Sequence, residues 1–306
     1  MFECILAVAD PTVETQNAVS RAADLARRTG ARLDLLICDY DDHLAGTRFG
    51  DSADLQQGRQ ALLDASRERL EGLAGPLRET GIEVATHATF YHPLHEGILV
   101  KARELAPDVI VKDTHYHHAL KRSIFTNTDW ELIRLCPQNL LLVKNEEWSQ
   151  RPVIMAAVDP MHLGDKPAAL DAAILDTGEV LASAADGELH VVHCYPVSAP
   201  AAAAATGTVM PSTVDLETLR SSIESAHREA LERLLQGRDI ASDKIKLLAG
   251  EPRRQLVEAA SEQHADVVVT GAVSRGRLKR AFLGFTALHI LDRLPCDLMI
   301  IKPPAT

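Results

Sequence analysis

No apolar run in this chain approaches the roughly 20 residues that a membrane-spanning helix needs, so membrane insertion is not expected. Cysteine is sparse: Cys4, Cys38, Cys136, Cys194 and Cys296 are scattered and odd in number. That argues against a disulfide framework and leaves no CxxC pair. Buried reduced thiols suit a reducing compartment. The opening stretch "MFECILAVAD" lacks the basic start of a secretory signal and runs straight into a strand pattern, so a cytoplasmic location is expected. Positive charge is in deficit, with 32 Lys+Arg against 43 Asp+Glu and a net charge of -11. A chain of that sign is not expected to bind nucleic acid or anionic membranes broadly. Catalytic signatures are missing too. There is no HxGH, KMSKS-like or SGGxDS stretch, and no nucleophile and base stand at a legible spacing.

What is present describes an ordinary globular protein: 46% hydrophobic and 25% charged residues over 306 positions. That length fits two domains of usual size. The sequence is in fact written twice. Residues 108–144 align without gaps to 266–302, with identities at Asp108/Asp266, Val109/Val267, Val111/Val269, Leu120/Leu278, Lys121/Lys279, Arg122/Arg280, Thr128/Thr286, Pro137/Pro295, Leu140/Leu298 and Lys144/Lys302. Upstream, "ILAVADP" at 5–11 echoes "IMAAVDP" at 154–160, and "RLDLLICDY" at 32–40 echoes "ELHVVHCYP" at 188–196. Two homologous halves follow, 1–146 and 151–306, joined by the polar stretch "NEEWSQRP" at 145–152.

Each half alternates short apolar runs with longer helical patterns. The runs fall near 3–9, 33–38, 82–90, 108–112 and 139–144, and again near 152–158, 188–194, 244–249, 266–270 and 297–301. They lack polar alternation, which predicts parallel strands covered on both faces. Between the first two lies "VSRAADLARRTG", where Val19, Ala22, Ala23 and Ala26 form one stripe and Gly30 can end the helix. Strand–helix alternation of this kind predicts a doubly wound α/β domain. Residues 42–58 and the Ala/Pro/Ser/Thr-rich 197–215 stand apart from the pattern, and the latter is expected as a mobile loop.

Several residues together resemble the universal stress protein family. They are an aspartate ending the first strand of each half (Asp10, Asp159), Gly250-x-Pro252 after a third strand, and a Gly-x2-Gly-x9-Gly-Ser/Thr-like loop before the last helix. Two such domains in one chain, with "IFTNTDW" in the first and "RAFLGFT" in the second, are similar to the tandem-domain E type of that family. The resemblance covers nearly the whole chain. It implies two doubly wound five-stranded parallel-sheet domains forming an intramolecular pseudo-dimer, a cytoplasmic stress-response role and, in some members, ATP with Mg²⁺ at the loop.

In the second half the motif falls on Gly271, Ser274, Gly284 and Phe285, followed by Thr286. The resemblance assigns nucleoside contact to Asp159 and phosphate contact to the loop. The chain departs from the motif where Ser274 replaces a glycine and Phe285 replaces a hydroxyl residue. Arg275, Arg277, Lys279 and Arg280 make the loop basic, and a helix amino terminus there would favour an anion. The competing explanation is a glycine turn onto the helix with Thr286 as its cap. In the first half Asp113, Tyr116 and Thr126 stand at the three glycine positions, and Asp129 is expected to serve its own helix terminus and repel a phosphate. Nucleotide is therefore expected only in the second half.

His115, His117 and His118 sit in the degenerate loop, with His92 and His95 near the end of the third strand. Imidazoles there suit Zn²⁺, Cu²⁺ or Ni²⁺. Solvated loop histidines are the competing explanation, since ligand spacing is irregular. Phe125, Trp130 and Leu132 are expected in the core, and Leu120 and Leu278 are expected to point inward. Three functions are open at this point: a stress-response protein that binds or senses a small ligand such as ATP, a ligand-free interaction scaffold, and an ATPase or nucleotidyl transferase. A small-molecule ligand and self-association are the partners considered. The enzyme is the least supported, because fold confers no activity by itself.

Overall fold

A computed structural model describes residues 2–45, 52–117, 122–124, 127–144, 147–161, 169–195, 216–272 and 293–303. The chain divides into two compact units, Met1–Glu147 and Trp148–Thr306.

The first unit runs β1 (Cys4–Val8), α1 (Asn17–Thr29), β2 (Arg32–Asp39), α2 (Ala53–Glu79), β3 (Val84–Phe90), α3 (Leu94–Leu105), β4 (Val109–Asp113), β5 (His115–His117), β6 (Arg122–Ile124), α4 (Asn127–Leu135) and β7 (Asn139–Val143). Its parallel sheet has the order β3-β2-β1-β4-β7. Ile5, Leu6, Leu33, Leu35, Leu36, Ile37, Val109, Ile110, Val111, Leu140 and Leu141 are wholly buried, as strands covered on both faces require. The α1 stripe of Val19, Ala22, Ala23 and Ala26 is buried, and Gly30 ends the helix at φ 73° with its N–H on the Ala26 carbonyl. Residues 42–58, which stand apart from the sequence pattern, hold a 3-10 turn at Asp42–Leu44 and the start of α2, where Ser52 Oγ accepts from Leu55 N. The antiparallel β5–β6 pair was also not expected.

The second unit runs β8 (Val153–Val158), α5 (Ala169–Ala185), β9 (Glu188–Tyr195), α6 (Leu216–Leu235), β10 (Ile245–Ala249), α7 (Pro252–Glu262), β11 (Val267–Gly271) and β12 (Asp297–Ile301). Its parallel order, β10-β9-β8-β11-β12, matches the first unit strand for strand. Gly250 takes φ 141°, which only glycine adopts comfortably, and Pro252 opens α7.

The aspartate shared by both copies explains how each first strand is fixed. Asp108 accepts from the N–H groups of Glu3 and Cys4 at 2.6 and 3.0 Å. Asp266 accepts from Val153 N at 2.8 Å and from the backbone and hydroxyl of Ser149 at 2.7 and 3.0 Å. Trp148 Nε1 donates to Asp297 at 2.9 Å. The latter part of the stretch expected as a plain linker is therefore fastened into the second unit. The polar letters of "NEEWSQRP" concealed two side chains with buried or carboxylate partners.

Candidate functional site

In each unit the strand order reverses between the first and fourth strands, and open α/β sheets take ligands beyond the carboxyl ends of strands at such a point. In the second unit the reversal lies between β8 and β11, where Ala157 is in register with Thr270. Asp159 follows β8 and Gly271 ends β11, so these two predicted residues flank the switch point. Asp159 N donates to Asp171 Oδ1 at 3.0 Å, and Asp171, in the first turn of α5, is wholly buried. Among the described residues the Asp159 carboxylate accepts no hydrogen bond. Ser274, Gly284, Phe285 and Thr286 lie outside the described residues.

Gly271 has a packing reason of its own. A Cβ there would stand 2.6 Å from Leu170 Cδ2, 2.9 Å from Leu170 Cγ and 3.3 Å from Ile174 Cδ1. The missing side chain therefore lets α5 approach β11, as well as leaving the end of the strand bare.

The corresponding place in the first unit is filled by its own side chains. Asp10 Oδ1 accepts from Thr12 N and Thr12 Oγ1 at 2.8 and 2.6 Å. The second unit carries Met161 at the position of Thr12, and a thioether cannot donate. Asp113, at the position of Gly271, accepts from Ala18 N at 2.9 Å and so caps α1. Lys112 Nζ lies 2.8 Å from wholly buried Asp129 and donates to the Asp113 carbonyl at 2.9 Å. This refines the expectation for Asp129: its charge is met by a lysine ammonium, not only by the helix terminus.

His115 and His117 lie on β5, Phe125, Leu120, Leu278 and His118 lie outside the described residues, and His92 stacks on Tyr40 with ring centroids 4.3 Å apart. Among the described residues no group of three or more His, Cys, Asp or Glu side chains is arranged to hold a metal ion. Leu132 is wholly buried and Trp130 half-buried, in keeping with core roles.

Sequence reasoning missed a buried polar pair in the second unit. His193 on β9 has Nδ1 3.1 Å from the Val158 carbonyl oxygen and Nε2 2.7 Å from Nδ1 of His227 on α6. Asp159 acts on both imidazoles and on the Cys194 thiol. Burial, reinforced by that carboxylate, pushes the Cys194 pKa up to about 12, so this thiol is no nucleophile near neutrality. The signal was faint, because "HVVHCY" reads as an apolar run with two interruptions.

The model of the Universal stress protein family matches residues 1–144 and again 151–302. The chain belongs to the universal stress protein family. Among curated members, this tandem universal stress protein is 27% identical over 310 residues to Universal stress protein E of Escherichia coli (strain K12), covering 99% of this chain and 95% of that one. It is 28% identical over 312 residues to the Universal stress protein E homolog of Haemophilus influenzae, covering 99% and 98%. A functionally unknown protein from Pseudomonas aeruginosa PAO1 has a similar solved structure, with TM-score 0.76, 26% identity and coverage of 99% and 93%. A universal stress protein from Archaeoglobus fulgidus shares the fold at TM-score 0.65 and 14% identity, covering 98% of both chains. The universal stress protein fold thus spans both units, and no helix among the described residues is long and apolar enough to cross a membrane.

Proposed function

We propose that this universal stress protein acts in the stress response by binding a small anionic ligand, ATP with Mg²⁺, in its second unit only. The observation that carries this is the difference between two equivalent carboxylates. Asp10 is occupied by Thr12, whereas Asp159 accepts no hydrogen bond among the described residues and stands at the switch point beside Gly271. A carboxylate in that state can accept hydrogen bonds from sugar hydroxyls. The basic residues that follow Gly271 in sequence suit the charge of phosphate. The first unit meets the same region with Asp113, Lys112 and Asp129, which leaves it a structural role.

The test is the thermal midpoint of the full chain with and without ATP or ADP and Mg²⁺. A ligand that binds only the native state raises the midpoint, by the equivalent of about 2.7 kcal/mol at a hundredfold excess over Kd. No rise at millimolar nucleotide rejects nucleotide binding and leaves the interaction scaffold. Release of phosphate during the same incubation would instead point to an ATPase.

A further inference from the structure

The helix α6 turns His227, Ala230, Leu231 and Leu235 inward, and His227 is the polar member of that buried face. It meets His193, which is 1% exposed, inside the second unit. The Val158 carbonyl can only accept, so the hydrogen on His193 sits on Nδ1. Neutral His193 then offers Nε2 as an acceptor, and Nδ1 of His227 must donate to it. The direction of the chain is fixed: His227 to His193 to Val158. One added proton can go only to the outer Nε2 of His227. A second sets two N–H groups against each other at the 2.7 Å contact.

The first unit shows that the fold does not need this pair. By strand register His193 corresponds to Ile37, wholly buried, and the matching buried face of α2 carries Ser66, Leu70 and Ala74. Where the first unit has an apolar residue and a hydroxyl, the second unit has two titratable rings.

We propose that the His193–His227 pair is a proton-operated catch, holding α6 against β9 beside Asp159 near neutral pH and releasing it in mild acid. The charged and titratable groups facing it are Asp159 after β8, Asp171 on α5, Cys194 and Tyr195 on β9, and Glu224 and Arg228 on α6, where Glu224 bridges Tyr195 and Arg228. Burial pushes both imidazoles below their ordinary range. The two rings' proximity lowers His193 further, while the Val158 hydrogen bond and the Asp159 charge oppose the shift. A lowered imidazole pKa means that docked α6 binds fewer protons than released α6. Docking is therefore fully favoured above pH about 6.5 and weakens as pH falls below it, until the docked pair itself takes up protons.

Hydrogen exchange of the amides of 216–235 in the full, ligand-free chain tests this, corrected for the intrinsic pH dependence of exchange and referred to α1 in the first unit. In the wild type, protection of α6 relative to α1 should hold level from pH 7.5 to about 6.5 and then fall, approaching tenfold per pH unit for each proton taken up, as pH drops to 5.5. His227→Gln keeps an amide donor for His193 and removes one of the two titrating rings, so its α6 should lose less protection in acid than the wild type. His193→Ile/His227→Ser, which installs the first unit's residues and removes both rings, should be insensitive. Constant relative protection in the wild type would overturn the proposal. So would an equal acid loss in both variants.

Discussion

Lys112 and Asp129 form a buried ion pair 2.8 Å long between β4 and α4, and the residues aligned with them in the second copy of the sequence are Thr270 and Ala287. The two copies thus differ in charge at this pair of positions. Removing one partner of such a pair leaves a buried charge alone, whereas replacing both with apolar residues of similar volume is often tolerated. Lys112→Met should cost about 3–5 kcal/mol in chemical denaturation, and Lys112→Met/Asp129→Leu much less. Equal losses would show that the pair acts through packing.

Nucleotide binding should depend on one aspartate. Asp159→Ala should weaken ATP about tenfold to a hundredfold in calorimetric titration, the loss of a charged hydrogen bond of about 1.5–3 kcal/mol. Asp10→Ala should leave affinity unchanged, because Thr12 already occupies that carboxylate. Equal weakening by both would refute the asymmetry.

Within the loop, Phe285 should limit affinity more than Ser274. Serine retains a small side chain and a backbone N–H, at a conformational cost of about 1 kcal/mol against glycine. Phenylalanine at the motif's hydroxyl position offers no hydroxyl for the proposed phosphate contact. Phe285→Ser should tighten ATP more than Ser274→Gly, and the reverse order in the same titration would make the backbone turn the limiting feature.

Glycine at 271 should matter through volume. Gly271→Ala places a methyl 2.6 Å from Leu170 Cδ2 and should destabilise the second unit by about 1–3 kcal/mol, softened where Leu170 can shift. Leu170→Ala in the same chain should recover part of that loss. An unchanged midpoint for Gly271→Ala would remove the packing explanation.

Acid should find a weak point in the first unit as well. Asp34 is 2% exposed and accepts from His87 Nε2 at 2.7 Å, Arg32 Nε at 2.9 Å and Cys4 Sγ at 3.3 Å. Burial pushes its pKa up, but the hydrogen bonds from His87, Arg32 and Cys4 outweigh that and hold it below the ordinary carboxylate range. A depressed carboxylate contributes stability that is present above the unfolded pKa of about 3.9 and is lost as pH falls through the folded value. Resistance of the wild type to denaturation should therefore weaken below pH about 4 more steeply than that of Asp34→Asn, which cannot ionise. Parallel pH profiles would contradict this.

Much of the architecture was legible because buried parallel strands announce themselves as unbroken apolar runs, and because the second copy repeats the first. The differences that decide function were legible only in part. Asp113 at a glycine position could be read from the aligned copies. Its Lys112 neighbour could not be paired with Asp129, since their meeting depends on how β4 leads into α4. His193 and His227 were hidden for a related reason. They are joined only when α6 folds onto β9, and each reads as an isolated interruption in an apolar or helical pattern. The start of α2 was obscured by a polar segment whose decisive residue, Ser52, acts through a local cap and leaves no hydrophobic period.

The anchoring of Trp148 to Asp297 has a practical consequence for spectroscopy. The chain holds two tryptophans, and they fall one to each unit: Trp130 in α4 of the first and Trp148 at the threshold of the second. Each indole is an intrinsic fluorophore whose emission responds to the unfolding of its own surroundings. With Trp130→Phe the remaining emission reports the second unit, and with Trp148→Phe it reports the first, so the melting of two homologous modules can be followed separately without any attached dye.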